Sequence, residues 1–230
     1  ERDAAVAEWL ASEHIAFRTF KDQVLLEKDE VLKDDGKPYT VFTPYSRKWK
    51  SVLNAFHIKP YPNRKYFSSF FQQAAKPFPS LKTLGFEPTE QQFPSRSAED
   101  ALLRHYGKQR DYPAVDGTSR LGVHLRFGTI SIRQLAARAM PLSEVYLNEL
   151  IWREFYQMIL WHFPEVGQGK AFKPAYDRIE WRRDNGEFVR WCNGTTGYPI
   201  VDAGMRELNA TGYMHNRVRM IVASFLAKHL

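Results

Sequence analysis

Three short segments of the chain combine residue types that could hold a ligand or act on it. The first covers residues 116–122 and reads Asp-Gly-Thr-Ser-Arg-Leu-Gly. Threonine or serine at a helix start caps the first amides, and a preceding glycine lets the backbone approach a ligand. Free amides, two hydroxyls and Arg120 would then suit a diphosphate, although the Gly-Lys-Ser/Thr pattern of a Walker loop is missing. A plain helix cap is the alternative interpretation.

The second segment covers residues 148–156 and places four functional groups on one side of a predicted helix. An acid, an indole, a guanidinium and a phenol follow at spacings of three and four residues: Glu149, Trp152, Arg153 and Tyr156. Such a face suits a pocket that stacks a planar ring and hydrogen-bonds its edge. The alternative is an exposed Glu149–Arg153 pair, worth about 0.3–0.5 kcal/mol, beside a half-buried tryptophan.

The third segment covers residues 212–220 and begins a further predicted helix. Its apolar stripe must face the core, which leaves Asn216 and Met220 together on another side. Asparagine can read the edge of a base, and methionine can fill an apolar gap beside one. Ordinary packing is the alternative for Met220. No histidine spacing is typical of a metal site, and no hydrolytic motif occurs, so the sequence predicts no metal and favours chemistry carried by a bound cofactor.

Composition narrows the class of protein. The 230 residues carry a net charge of +7, with 33 basic and 26 acidic side chains. Most of that excess falls after residue 100, where arginine dominates the cations, and this pattern favours nucleic acid or a phosphate-bearing cofactor. An ordinary solvated surface is the alternative. The single Cys192 excludes an internal disulfide and predicts a reducing compartment, such as the cytoplasm. No apolar run is long enough for a membrane span.

The elements that must position these segments follow from periodicity. Residues 2–20 predict one amphipathic helix and residues 23–26 a short buried strand, as at the end of an α/β domain. Residues 31–97 are rich in proline, with a clear helical pattern only over 46–56, and predict an interdomain linker. From there on helices dominate, over residues 98–107, 119–125, 131–140, 142–162, 188–193, 199–210 and 214–230. The predicted domains are therefore 1–30, 31–97 and 98–230, in a fragment cut at both ends.

The motifs together resemble the photolyase/cryptochrome family. The resemblance rests on residues 110–121, 148–156, 196–203 and 212–220, in this order, and is closest to the class I members that split cyclobutane pyrimidine dimers. It implies a mainly α fold, in which an incomplete helical FAD-binding domain follows a long linker and the last helix and strand of an α/β antenna domain. It also implies noncovalent FAD and, in the full-length protein, an antenna chromophore of the methenyltetrahydrofolate or flavin type.

The resemblance assigns roles residue by residue. FAD would be held by Tyr106, Thr118, Ser119, Arg120, Leu121, Gly122 and Arg153. DNA carrying the dimer would be bound by Arg110, Glu149, Trp152, Arg153, Tyr156, Asn216 and Arg217. Met220 would pack against the dimer, and Trp181 would be the outermost member of a tryptophan chain that photoreduces oxidised flavin. The expected partner is UV-damaged DNA, bound by a monomer.

The implied activity is light-driven repair, in which excited reduced FAD donates an electron to a flipped-out dimer. A cryptochrome-type photoreceptor without repair and a (6-4) photolyase are the alternatives within the family. Plant-type cryptochromes usually carry aspartate where Asn216 stands and valine where Met220 stands, and (6-4) enzymes are rich in histidine there. A helical nucleic-acid-binding module without cofactor is the alternative outside the family.

Overall fold

The computed structural model describes residues 2–90, 92–182 and 184–230. Its helices are α1 (Arg2–Ser12), α2 (Phe42–Val52), α3 (Ala55–Ile58), α4 (Asp100–Gln109), α5 (Gly122–Phe127), α6 (Ile132–Ala139), α7 (Glu144–His162), α8 (Pro164–Gly167), α9 (Asn185–Asn193), α10 (Pro199–Thr211) and α11 (Asn216–His229). Short 3₁₀ turns cover Lys28–Glu30, Asn63–Ser69 and Pro174–Arg178. These described residues form no β-strand, which confirms the mainly α fold. None of their helices is long and apolar enough to cross a membrane.

Local capping explains why the predicted helices of the second half lie close to their expected positions. The Ser143 hydroxyl accepts from the Tyr146 amide and begins α7. Proline occupies the first position of α10, where its missing N–H costs nothing, and Gly212 ends that helix at a φ of 71°. The Asp184 carboxylate caps α9 in the same way as Ser143 caps α7. These signals lie within a few residues of each helix end and are therefore visible in the sequence.

The N-terminal predictions are wrong in detail. Helix α1 ends at Ser12 instead of continuing to residue 20, and it buries none of its residues. Residues 23–26 form no strand, although Val24, Leu25 and Leu26 are buried. Their apolar character reflects packing against α7, because Leu25 and Leu26 belong to the same hydrophobic cluster as that helix.

Helical structure in the linker also begins earlier than predicted. Helix α2 starts at Phe42 and buries Tyr45 and Trp49 against α7. It stops at Val52, before Asn54 caps the separate short helix α3. The linker is thus docked on the helical domain through α2. The domain boundaries at residues 30 and 97 stay predictions.

Two hydrophobic clusters stabilise the described part of the chain. The larger joins residues 25–31 and α2 to helices α4, α5, α6 and α7. The smaller joins α10 and α11 through Val201, Met205, Met214, Val218 and Val222. Polar groups on α4, α7 and α11, helices that also carry these clusters, form the candidate site.

The α10–α11 interface depends on Gly204. A methyl group at this position would lie 2.5 Å from Val218 Cγ1 and 3.0 Å from Val222 Cγ2. We therefore expect Gly204→Val to lower the free energy of unfolding by about 1–3 kcal/mol, because overpacking forces the helices apart. Ala203→Val is the matched control, since Ala203 is exposed on the same helix. Equal denaturation midpoints for the two variants would contradict close packing at Gly204.

Glu154 is a buried acid at the junction of the N-terminal segment, α2 and α7. It is 2% exposed and accepts from the amides of Leu25 and Leu26 and from Trp49 Nε1, the last at 2.6 Å. Burial raises the pKa of Glu154 to about 7, against the lowering effect of these three donors. One carboxyl group thus joins the incoming chain and the linker helix to the long helix α7.

This raised pKa predicts a pH-dependent stability. Between pH 4.5, the ordinary value, and about 7 the folded protein holds the Glu154 proton more tightly than the unfolded chain. The free energy of unfolding should therefore fall as pH rises through this interval, by up to about 3 kcal/mol. Glu154→Gln does not titrate, so the variant should lose this part of the pH dependence. Denaturant titrations at about pH 5 and pH 8 measure it, and equal pH dependence in both proteins would contradict the assignment.

Candidate functional site

Two arginine–carboxylate pairs connect α4, α7 and α11. Arg110, at the end of α4, forms an ion pair with Glu149 on α7. Arg217, in the first turn of α11, donates from Nε to Asp111 at 2.8 Å, and the same Asp111 oxygen lies 3.5 Å from Arg110 Nε. The Arg217 guanidinium lowers the pKa of Asp111, and Arg110 adds to this effect. Four charged groups from three helices and one loop therefore form a single network.

The exposed side of α11 continues this network. Asn216 Nδ2 lies 3.9 Å from Met220 Sδ, and Arg217 Nη1 lies at the same distance from that sulfur. The prediction that Asn216 and Met220 share a face is therefore confirmed. His215 caps the helix by accepting from the Arg217 amide at 3.2 Å. Met220 remains 54% exposed, so its thioether can contact a ligand.

Tyrosines hold the loop that precedes α5. Thr118 Oγ1 shares a hydrogen bond of 2.9 Å with the Tyr213 hydroxyl, and the Tyr146 hydroxyl donates to Ser119 Oγ at 2.9 Å. Arg120 adopts a φ of 50° and places its guanidinium 4.8 Å from the centre of the Tyr213 ring. The prediction that Thr118 and Ser119 open a helix is wrong, because α5 begins at Gly122. Their hydroxyls bind phenols of α7 and of the turn before α11 instead of capping.

The same loop offers free donors, which fits the predicted diphosphate site. Within the described part of the chain, the amides of residues 118–121 donate no hydrogen bond to another backbone group. Such a run of unpaired amides, beside Arg120, suits an anionic ligand. Gly117 has a different role from the one predicted: a methyl group there would lie 2.5 Å from Gln109 Cβ, so this glycine lets the loop approach α4 rather than a ligand.

Tyr106 lies behind this loop and beside the charged network. Its ring meets that of Tyr146 edge-on at 4.9 Å, and the Arg110 guanidinium lies 5.2 Å from its centre. Burial raises the pKa of Tyr106 to about 12, so the phenol stays neutral. Tyr106 thus links the loop to the Arg110–Glu149 pair.

Trp152 lies on α7 one turn beyond Glu149, as the spacing predicted. Its indole stacks on the ring of Phe42 with the centres 3.6 Å apart and the planes 5° apart. The Tyr156 ring follows, with its centre 5.5 Å from that of the indole and its plane at 25° to it. The Tyr156 side chain is largely exposed. The helix therefore presents an indole and a phenol side by side, with the charged network one turn earlier.

Arg153 points away from this face. Its guanidinium donates to the backbone oxygens of Gln23 and Leu125, the latter at 3.1 Å. A cavity of about 170 Å³ beside it is lined by the N-terminal segment and by residues 128–132. The guanidinium is thus occupied by two backbone carbonyl groups, and the roles of Arg153 in binding FAD and DNA stay predictions.

Trp181 lies in an irregular stretch after the 3₁₀ turn Pro174–Arg178 and is 57% exposed. Exposure agrees with an outermost position in an electron-transfer chain. Its assigned role stays a prediction.

Several contacts of the site could not be recognised from the motifs. The buried acid Glu154 was missed, and its only signal was a charge at a position of α7 that periodicity places among buried neighbours. The stacking of Phe42 on Trp152 was missed as well, because it joins the linker to the long helix. The tyrosine partners of Thr118 and Ser119 have no local sequence signal at all.

Comparisons with known proteins agree with this architecture. Residues 1–65 match the family model described as DNA photolyase, and residues 146–230 match the FAD binding domain of DNA photolyase. Curated relatives of the chain are named deoxyribodipyrimidine photo-lyase. The protein from Alkalihalophilus pseudofirmus is 37% identical, and the match covers 100% of this chain and 51% of the relative. The protein from Halobacterium salinarum is 39% identical, and the match covers 100% of this chain and 52% of the relative. The chain spans about half the length of the curated relatives it matches.

Solved structures give the same result. A bacterial class III photolyase from Agrobacterium tumefaciens superposes with a TM-score of 0.82 at 33% identity, covering 100% of this chain and 52% of the other. An archaeal photolyase from Sulfolobus tokodaii with two FAD molecules superposes with a TM-score of 0.71 at 29% identity, covering 98% and 50%. The chain belongs to the photolyase/cryptochrome family. Its residues from 146 onwards are part of an FAD-binding domain of this type.

Proposed function

We propose that the chain is part of a deoxyribodipyrimidine photo-lyase, which uses light to split cyclobutane pyrimidine dimers in DNA. The observation that carries this proposal is the network on α4, α7 and α11, in which Glu149, Arg110, Asp111 and Arg217 lie beside Asn216 and Met220. It combines cations for phosphate, an amide and a carboxylate for a base edge, and an apolar sulfur for the base itself. The names of the curated relatives support the same activity.

FAD would be held by Tyr106 and by residues 118–122. The unpaired amides of that loop and the guanidinium of Arg120 would bind the diphosphate, while Tyr146 and Tyr213 fix the Ser119 and Thr118 hydroxyls. Reduced FAD supplies the photoexcited electron when it is bound. The residues of this chain would bind and orient the flavin.

The damaged DNA would lie against α7 and α11. Glu149 and Asn216 would hydrogen-bond the flipped dimer, Met220 would pack against it, and Trp152 and Tyr156 would offer aromatic surface for stacking. Arg110 is only 18% exposed and paired with Glu149, so we assign it to orienting that carboxylate as well as to binding phosphate. Arg217, at 47% exposure, is the better placed phosphate ligand.

The remaining assignments concern the whole protein. Trp181 would pass electrons to oxidised flavin, and an antenna chromophore of the methenyltetrahydrofolate or flavin type would collect light. We propose a monomer that acts on chromosomal DNA in the cytoplasm, in line with the lone Cys192 and the basic charge.

A cryptochrome-type photoreceptor is the second candidate. The observation that favours repair over this alternative is the Asn216–Met220 contact, because both side chains sit exposed on the face that would meet the dimer. Plant-type cryptochromes usually replace both residues.

One experiment tests the proposed function. The purified full-length protein is illuminated with blue light, in reductant, together with an oligonucleotide that contains one cyclobutane thymine dimer. We expect a flavin absorption spectrum and light-dependent restoration of the two thymines. A flavin spectrum without repair would favour the photoreceptor, and repair of (6-4) photoproducts alone would favour the other photolyase class. A colourless, fully folded protein would exclude both.

Arg217 should contribute to DNA affinity mainly through phosphate. Arg217→Ala should weaken binding to damaged and undamaged DNA alike and lower the slope of log affinity against log salt by about 1. Arg138→Ala is the matched control, since Arg138 forms a similarly exposed ion pair with Asp100 at 2.6 Å. An unchanged salt slope in the Arg217 variant, measured by binding titrations at several salt concentrations, would remove this residue from the DNA interface.

A further inference from the structure

The linker helix α2 covers one face of the candidate stacking residue. Phe42, the first residue of α2, lies 3.6 Å from Trp152 between ring centres, with the planes 5° apart. At this distance and angle no second flat group fits between the two rings. A planar ligand therefore cannot stack on the Phe42 side of the indole, and the Tyr156 ring, with its centre 5.5 Å from that of the indole and its plane at 25° to it, borders the surface that remains.

Phe42 is held firmly in this position. The helix that carries it is anchored by Tyr45, 1% exposed, and by Trp49, 0% exposed. The Trp49 indole donates to the buried carboxylate of Glu154, which lies between Trp152 and Phe155 in the sequence of α7. Phe42 could move away from Trp152 only if α2 left α7, and that would uncover two large aromatic side chains and break this hydrogen bond.

The Trp152 indole is also restrained from its edge. The Phe155 ring lies with its centre 5.6 Å from that of the indole and its plane at 81° to it. The same ring lies 5.9 Å from the centre of Phe42, with the two planes at 79°. The three rings thus interlock, with the face of Phe42 against the indole and Phe155 at right angles to both. Rotation of the indole about its side-chain bonds would bring it into one of these two rings.

We propose that Phe42 is a positioning residue for DNA binding: it presets the Trp152 indole with one face covered, so that a flipped pyrimidine stacks on the other face. This inference rests on the proposed function. A preset ring loses little conformational freedom when the base arrives, so the stacking energy appears as affinity. Without Phe42 the indole gains rotational freedom, and the loss in affinity should be about 3- to 10-fold, the range of one aromatic pair.

The experiment is a double-mutant cycle in the full-length flavoprotein. Dissociation constants are measured for one oligonucleotide with and without a thymine dimer, using wild type, Phe42→Ala, Trp152→Ala and the double variant. Phe42→Ala should weaken binding of the dimer-containing DNA about 3- to 10-fold, change binding of undamaged DNA little, and retain FAD. In the Trp152→Ala background it should have no further effect, because Phe42 acts through Trp152.

Further variants separate stacking from packing. Phe42→Tyr keeps the ring and should restore wild-type affinity, whereas Phe42→Leu keeps apolar volume without a ring and should behave like Phe42→Ala. In the Phe42 single variants, the yield of dimer splitting at saturating DNA should be unchanged. Phe56→Ala is the control for loss of a linker phenylalanine, since Phe56 is 68% exposed on α3.

The outcomes distinguish this inference from the proposed function. Normal affinity in Trp152→Ala would remove the indole from the substrate site and so contradict the proposed site itself. Reduced affinity in Trp152→Ala with normal affinity in Phe42→Ala and Phe42→Leu would overturn only the positioning role. The positioning role would also be overturned if Phe42→Ala lowered the affinity equally in the wild-type and Trp152→Ala backgrounds, or if Phe42→Ala and Phe42→Leu lost FAD. Either result would give Phe42 a general structural role.

Discussion

Trp181→Phe should abolish light-driven reduction of oxidised flavin in the full-length protein while leaving repair by pre-reduced enzyme intact. The proposal places Trp181 at the solvent end of the electron route to oxidised FAD, and its side chain is 57% exposed, as such a position requires. Phenylalanine is much harder to oxidise than tryptophan, so it fills the space without passing an electron. The measurement is the bleaching of flavin absorbance under blue light with reductant, beside single-turnover repair after chemical reduction.

Trp161→Phe provides the control, because Trp161 is 56% exposed on α7 but is assigned to neither electron route. It should photoreduce and repair normally. Loss of repair by pre-reduced Trp181→Phe, or normal photoreduction in it, would show that Trp181 has been assigned to the wrong route.

Trp152→Ala should bind dimer-containing DNA with about 1–3 kcal/mol less free energy, which is roughly a 5- to 150-fold loss of affinity. The stacking surface is lost, and the site keeps only its hydrogen bonds and phosphate contacts. FAD should remain bound, since the groups proposed to hold it lie on Tyr106 and on the loop of residues 118–122. Binding titrations with damaged and undamaged oligonucleotides measure the effect.

Trp152→Phe should recover most of the lost affinity, because a smaller ring still stacks. If the alanine variant binds damaged DNA as wild type does, the pyrimidine does not stack on this indole. If both variants lose FAD, Trp152 supports the fold and not the substrate.

Local sequence signals predicted the helices and part of the site. Ser143 and Gly212 are capping residues next to the ends they set, so α7 and α10 could be placed within two residues. Asn216 and Met220 lie one turn apart, and one turn of helix is enough to bring them together.

Other features depend on partners far away in sequence. Arg153 shares the spacing of Glu149 and Trp152, yet its guanidinium binds the Gln23 carbonyl across 130 residues, which no periodicity could indicate. Residues 23–26 have the composition of a buried strand, but no second strand is present among the described residues, and their amides bind Glu154 instead. Family resemblance could name candidate residues of the site, but not the contacts through which Tyr146, Tyr213 and Phe42 hold them.

The hydrogen bond between the Leu25 amide and the Glu154 carboxyl group joins residues that are 129 positions apart in the sequence, so the ribosome makes the two partners at different times. A ribosome that adds about 5–20 residues per second makes Glu154 roughly 6 to 26 s after Leu25. Throughout that time Val24, Leu25 and Leu26 lack the surface of α7, although each is more than nine-tenths buried in the final fold. The nascent chain therefore exposes an apolar tripeptide for seconds, and chaperone occupancy during translation should concentrate on it and fall once α7 has left the ribosome.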